Sequence, residues 1–402
     1  MRDFHRLLAA QTVSLLGDLI ATFAVQAAVV FRMHGSARDA AGVFLMALIP
    51  TAVLGPVAGV LADRWDPRRT MIASDLARAV LVALLAFATS IPQLYAISFA
   101  VSCCSAVFSP ARTVAMPRMV ERGRLLEANA RMQQAAQFVR VASPAVAGAL
   151  VAWGGETACY FADSASFAIS AALIATLSRG SREAGLGLVA AGAARHARLR
   201  ETITGLREGA KFLRTDPTFA FLAIAMGAGA FATGCFGALA PVYVRDVLRA
   251  APTVYAAIGT CIATGSLLGA LVVRGVAVVP LLRAGMVTIG LSILPMAVTA
   301  NRSAAMAGSF GIGLGAAWVT VAAAALLQGH TPSGMRGRAS SALASLMAMA
   351  QAAALICAGA GAARIGIAGV FAMSATALIA AGLRRTSQLH EIDGEALRQH
   401  AA

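Results

Sequence analysis

The sequence predicts an all-helical integral membrane protein of twelve transmembrane spans in two pseudo-symmetric six-helix bundles. Three observations carry this. Twelve apolar runs divide the 402 residues from end to end, and each has the length of about 20 residues needed to cross a hydrocarbon core of roughly 30 Å. Hydrophobic residues make up 59% of the chain and charged residues only 13%, against about 25% charged in soluble domains. The long polar interval lies half way along, with six runs on either side.

The spans fall at roughly 7–32, 40–62, 70–89, 91–109, 126–152, 157–177, 218–241, 253–274, 281–300, 303–327, 339–360 and 365–383, by length and apolar content. The expected organisation is an amino-terminal bundle over 1–177, a linker over 178–217, a carboxy-terminal bundle over 218–383 and a tail over 384–402. The first span follows Arg2 and Arg6 but is longer than the apolar core of a signal peptide, so it reads as a mature helix. An even number of spans puts both termini on one side. Placing them in the cytoplasm leaves six of the 33 Lys and Arg residues outside (Arg32, Arg38, Arg245, Arg249, Arg302 and Arg364) and one, Arg140, within a span. The positive-inside rule therefore orients the chain in a cell (inner) membrane with cytoplasmic termini.

The net charge of +15 is spread over membrane ends, which argues against nucleic acid as a partner. All six cysteines lie in apolar spans and show no metal-ligand spacing. Neither a phosphate-binding glycine loop with Lys nor a nucleophile with its base is present, so no cofactor and no enzymatic reaction are expected. In the linker, Leu199, Ile203, Leu206 and Ala210 share one helical face, with Arg198, Arg207, Lys211 and Arg214 supplying charge. This fits an amphipathic helix on the anionic leaflet or a solvated linker helix. The halves echo one another: Arg122-Gly123-Arg124 precedes the fifth span and Arg336-Gly337-Arg338 the eleventh, an offset of 214 residues that also carries Asp39 onto Thr253. Such duplication is common in secondary transporters, with substrate held at the midplane.

Between the second and third spans, Gly59, Asp63, Arg64, Asp66, Pro67, Arg68 and Arg69 form a segment that resembles the loop signature G-x-x-x-D-R-x-G-R-R of the major facilitator superfamily. Phe4 to Gly17, Phe108 to Asn129 and Thr331 to Arg338 resemble its branch of macrolide and multidrug exporters and the enterobactin exporter. Asp66 and Pro67 depart from the signature. The resemblance implies the major facilitator fold and a cytoplasmic gate in which Asp63 faces the start of the eleventh helix, where a carboxylate is favoured by about 0.3 to 1 kcal/mol. Arg64, Arg68 and Arg69 belong to that gate or anchor the loop to phospholipid. Asp75 and Arg78, placed near the inner end of the third span, and Arg112, at the end of the fourth, are expected to support it. Ser143-Pro144-Ala145-Val146-Ala147-Gly148 is similar to the antiporter signature G-P-x-x-G-G, retaining Pro144 and Gly148; close helix approach with a bend at the proline, or simple packing, accounts for it. The fourth span lacks the buried arginine of many proton-coupled members.

A charge at bilayer depth costs at least about 2.5 kcal/mol on insertion scales. On the first span Gln11, Ser14, Asp18, Thr22 and Gln26 share a face, and on the fifth Asn129, Gln133, Gln137 and Arg140 do so. Ser98, Ser102, Ser105 and Ser109 line one side of the fourth. These stripes are too polar for lipid and predict a hydrated wall in the amino-terminal half. Asp18 and Arg140 are the expected pair, either coupling transport to protons, with substrate freeing Asp18 to take one, or fixing packing as a static salt bridge. Asp163 is expected to make a structural hydrogen bond to neighbouring helices rather than to contact substrate. The expectation is a monomeric plasma-membrane efflux protein of the multidrug or macrolide type, exporting hydrophobic or amphipathic small molecules by proton antiport among membrane lipids. The alternatives are an exporter of one physiological compound such as a siderophore or lipid and, from another class, a membrane receptor or membrane-embedded enzyme.

Overall fold

The structure is a computed structural model that describes residues 2–62, 65–178, 215, 217–273, 277–331 and 335–384. Asp63 and Arg64, the linker residues 179–214 with their expected amphipathic helix, and the tail beyond 384 lie outside these. The described residues form ten helical elements: α1 (Arg2–Ala27), α2 (Ala37–Ala62), α3 (Pro67–Leu85), α4 (Ile91–Ala115), α5 (Leu125–Ala175), α6 (Pro217–Val242), α7 (Pro252–Val272), α8 (Val278–Val298), α9 (Arg302–His330) and α10 (Arg336–Leu383). Eight helical stretches among them are long and apolar enough to cross a bilayer.

Two elements are longer than any span, and each breaks at glycine. In α5 the dihedrals leave the helix at Gly154 and Gly155, and in α10 at Gly366. Gly155 (φ 67°, ψ −167°) and Gly366 (φ 72°, ψ 169°) occupy a region essentially reserved for glycine. The break at Gly154 and Gly155 falls between the fifth and sixth spans of the sequence, and that at Gly366 falls at the second residue of the twelfth. Pro144, by contrast, does not break α5. It removes the N–H that would bond the carbonyl of Arg140, and Ser143 Oγ donates to that carbonyl at 3.5 Å.

The chain divides into two compact units, residues 1–188 with 244–260 and residues 189–243 with 261–402. In the first, α1 packs on α5, α2 on α4, and α3 on α4 and α5. In the second, α6 packs on α10, and α8 on α9 and α10, the same order one repeat later. α7 meets α9 at glycines: a Cβ on Gly265 would collide with the carbonyl of Phe310, and one on Gly313 with that of Ile262, while Ser266 Oγ donates to the Gly313 carbonyl at 3.0 Å. Small residues and a hydroxyl to backbone carbonyl bond are how helices associate where lipid supplies no hydrophobic drive.

The duplication reaches single hydrogen bonds. α1 runs into a π-helical turn, Ala28–Arg32, and α6 into another, Tyr243–Val247, 215 residues later. Gly35 N–H closes the first on the Val29 carbonyl at 2.8 Å, and Ala250 N–H closes the second on that of Val244 at 3.0 Å. His34 (φ 52°) and Arg249 (φ 46°), the positive-φ residues that are not glycine among those described, make the left-handed step in each, as a helix C-terminus with unsatisfied carbonyls requires.

At the loop signature, the departures have a local cause. Asp66 caps α3, its carboxylate accepting the Arg69 N–H at 2.8 Å, and Pro67 occupies the first turn, where its missing N–H costs nothing. Arg68 turns to the far end of α5. Its Nε donates to the Ile174 carbonyl at 3.2 Å and Nη2 to that of Ala175, while Arg6 Nη1 donates to the Thr176 carbonyl at 2.8 Å. Two guanidinium groups thus satisfy three carbonyls at the negative end of a helix dipole. Arg69 is exposed. Arg68→Gln should lower the midpoint of thermal unfolding in detergent by the loss of roughly 1.5 to 3 kcal/mol from charge-assisted bonds, whereas Arg69→Gln should leave it unchanged; equal effects would show that Arg68 acts only as a surface charge.

Candidate functional site

Polar side chains of α1, α3, α4 and the first limb of α5 surround a cavity of about 360 Å³. α1 contributes Gln11, Thr12, Ser14 and Asp18; α4 contributes Ser105, Ser109, Arg112 and Thr113; α5 contributes Asn129 and Gln133. The helical period brings them together, since the stripes expected on the first, fourth and fifth spans turn their near ends toward one space. Thr22 donates to the Asp18 carbonyl at 2.7 Å and does not line it. Gln26 is buried and donates to the Ala40 carbonyl at 2.9 Å, tying α1 to α2. Gln137 is exposed beyond the cavity.

The pairing of charges differs from expectation. Asp18 Oδ2 lies 3.8 Å from Nη1 of Arg78, whereas Arg140 sits on the exposed face of α5. The guanidinium inside the bundle is that of Arg78. Its helix is capped at Asp66 and runs to Leu85, so residue 76 marks the middle of its 19 residues. Asp75 and Arg78 are therefore at mid-helix rather than near its inner end, and they stand in the charge cluster with Asp18. Arg112, at the end of α4, donates from Nη1 to Gln11 Oε1 across the cavity.

Arg78 is 3% exposed and Asp75 0%. Nη2 of Arg78 donates to Asp75 Oδ1, and Nη1 to Ser105 Oγ at 3.4 Å; Asp75 Oδ2 accepts from Ser170 Oγ at 2.7 Å. The cation also lies over two rings, its Cζ 4.6 Å from the centroid of Phe108 and 4.2 Å from that of Phe167, contacts that gain strength where water is absent. Asp163, 1% exposed on the second limb of α5, accepts from Ser166 Oγ at 3.0 Å through Oδ1 and leaves Oδ2 without a partner. This hydrogen bond is to its own helix and not, as expected, to a neighbouring one. It reaches α1 only because residue 17 is glycine, where a Cβ would collide with Asp163 Oδ1 and Ser166 Oγ. Phe108, Phe167 and Ser170 were not marked by the sequence. The Asp75 and Arg78 pair, three residues apart in an apolar run, was the signal available.

Pro144 and Gly148 face the first turns of α7 within the same compact unit. A Cβ on Gly148 would stand 2.6 Å from Ala256 Cβ, and one on Gly259 would stand 2.9 Å from Pro144 Cβ. The small residues of this segment serve close approach.

Repeated apolar helices around a polar, charge-bearing cavity define a polytopic membrane transporter. The model of the Major Facilitator Superfamily matches residues 7–343, and the chain belongs to that superfamily. Among curated relatives it is 30% identical over 173 residues to the uncharacterized MFS-type transporter YfiS of Bacillus subtilis (strain 168), a stretch covering 43% of this chain and 42% of that protein. It is 31% identical over 155 residues, 37% of each chain, to Macrolide efflux protein A of Streptococcus pyogenes. The matched stretch thus spans about two-fifths of these relatives. A crystal structure of a POT family transporter in complex with a thioalcohol-conjugated peptide superposes with a TM-score of 0.70 at 11% identity, covering 95% of both chains, a likeness of fold.

Proposed function

We propose that this chain is a secondary active exporter of hydrophobic or amphipathic small molecules, of the multidrug or macrolide type, driven by proton antiport from a cell membrane with both termini in the cytoplasm. The observation that carries this reading is a polar cavity whose floor is the Asp18–Arg78 pair. Two carboxyl groups, Asp18 and Asp75, share the guanidinium of Arg78, and the cost of charge at bilayer depth makes such pairing necessary. Asp18 has a side chain 36% exposed and so stands between the cavity and the buried members. Cargo entering the cavity competes for the weak contact with Arg78, and the freed carboxylate accepts the proton. The exposed polar face of Gln133, Gln137 and Arg140 continues this hydrated wall along α5. Similarity to Macrolide efflux protein A supports export.

In this reading each apolar limb crosses the bilayer once, the two six-helix halves rock about the midplane, and Asp63 and Arg64 close the cytoplasmic side. The protein acts as a monomer, without a cofactor and without enzymatic turnover. The test is a paired one. Cells expressing the gene should tolerate higher concentrations of macrolides and amphipathic dyes, and proteoliposomes should accumulate the same compounds only under a proton gradient. Unchanged tolerance together with gradient-independent flux would overturn the proposal. An exporter dedicated to one siderophore or lipid is the second reading, favoured by a cavity of only about 360 Å³, and it predicts tolerance limited to one compound.

A further inference from the structure

We infer that the cargo of this cavity carries an acidic oxygen group, a carboxylate or phosphate, and that Arg112 binds it. The inference rests on the cavity being the cargo site. Three charged side chains line it: Asp18, Arg78 and Arg112. Arg78 is held closely by Asp75 and lies 3.8 Å from Asp18. Arg112 is half-buried, and its polar partner among the described residues is the neutral Gln11 Oε1. Glu127, at the start of α5, is already shared by Arg124 at 3.0 Å and Arg131 at 2.7 Å. Asp75 and Asp163 are buried behind the wall and do not line the cavity.

Arg112 stands in the last turn of α4, where the helix dipole favours a cation. That alone does not explain its direction, because its side chain crosses to α1 instead of folding onto the carbonyls of its own helix. A guanidinium that is partly desolvated, held in place by one amide oxygen and without a carboxylate partner among the described residues is a fork for an oxyanion. Gln11 and Asp18 are two turns apart, about 10 Å along α1 at 1.5 Å per residue. The ligand therefore spans the cavity with its anionic group at Arg112 and a hydrogen-bond donor toward Asp18. Leu8, Leu15, Phe108 and Met132 offer apolar surface for the body between. This is the chemistry of an anionic amphiphile rather than of a cationic macrolide, so at this cavity it favours the second reading, the exporter of one acidic siderophore or lipid.

The test uses full-length protein in nanodiscs carrying Ser109→Cys at the cavity wall. It is treated in parallel with the sulfonatoethyl and the trimethylammonioethyl methanethiosulfonates, and labelling is read by mass spectrometry of the peptide containing residue 109. The anionic reagent should be favoured over the cationic one about tenfold relative to 2-mercaptoethanol, because Ser109 lies one turn from Arg112 while Asp18 stands across the cavity beside Arg78. Arg112→Gln should remove the preference and Arg112→Lys should keep it. Decanoate or decyl phosphate should protect the cysteine where decyltrimethylammonium does not, and whichever anion protects identifies the acidic group. No reaction with either reagent would sink the cavity as an aqueous cargo site. Reaction without an anion preference, or equal protection by the cation, would leave the cavity standing and overturn only the assignment to Arg112.

Discussion

Asp18→Asn is expected to reduce proton-driven accumulation in proteoliposomes to the level of protein-free vesicles while leaving cargo binding and cargo–cargo exchange in place. The substitution keeps an oxygen able to accept from Arg78 Nη1, now 3.8 Å away, and removes the capacity to cycle a proton. Because the aspartate side chain is 36% exposed, the lost ion pair is worth no more than about 1 kcal/mol to the fold. Correct insertion and a melting temperature near that of the unmodified protein serve as the control. Gradient-driven accumulation at the original rate in this variant would remove Asp18 from coupling and leave Asp163 as the carboxyl to test.

Arg78→Met should have the largest effect on stability, about 3 to 5 kcal/mol, because it strands a carboxylate in a place water does not reach. Asp75 is 0% exposed, and beyond Arg78, among the described residues, Ser170 Oγ alone donates to its side chain. The rings of Phe108 and Phe167 also lose the cation lying over them. Methionine fills similar space, so the loss is electrostatic more than steric. The double variant with Asp75→Asn removes both charges and should recover most of the stability, giving a large coupling energy in a double-mutant cycle. Thermal unfolding of the purified variants checks this; additive losses would show that the two residues do not act as a pair.

The helices themselves were legible because bilayer thickness sets the length of each apolar run, and the break between the fifth and sixth spans showed as Gly154-Gly155 between two such runs. Asp18 was legible too, since a polar stripe at helical spacing has only one face on which to lie. Its partner was not. Arg140 and Arg78 both interrupt apolar runs, and choosing between them requires the rotation of α3 and α5 about their own axes. That rotation is set by packing: Asp163 fits against α1 only at Gly17, and Arg78 is held between Asp75, Ser105 and two phenyl rings. Arg68 was misleading for a related reason. A basic residue beside a membrane looks the same whether it meets phospholipid or the carbonyls of Ile174 and Ala175, because the acceptors lie more than a hundred positions away along the chain.

The elbow at Gly155 joins two limbs of α5 through two residues outside helical geometry. The first limb carries Gln133 on the cavity wall, and the second carries Asp163, with one carboxyl oxygen left unbonded beside α1. A side chain at either positive-φ corner would strain the backbone whatever the space around it, so Gly155→Ala, or Gly366→Ala in the second unit, should destabilise the protein without touching any residue of the cavity.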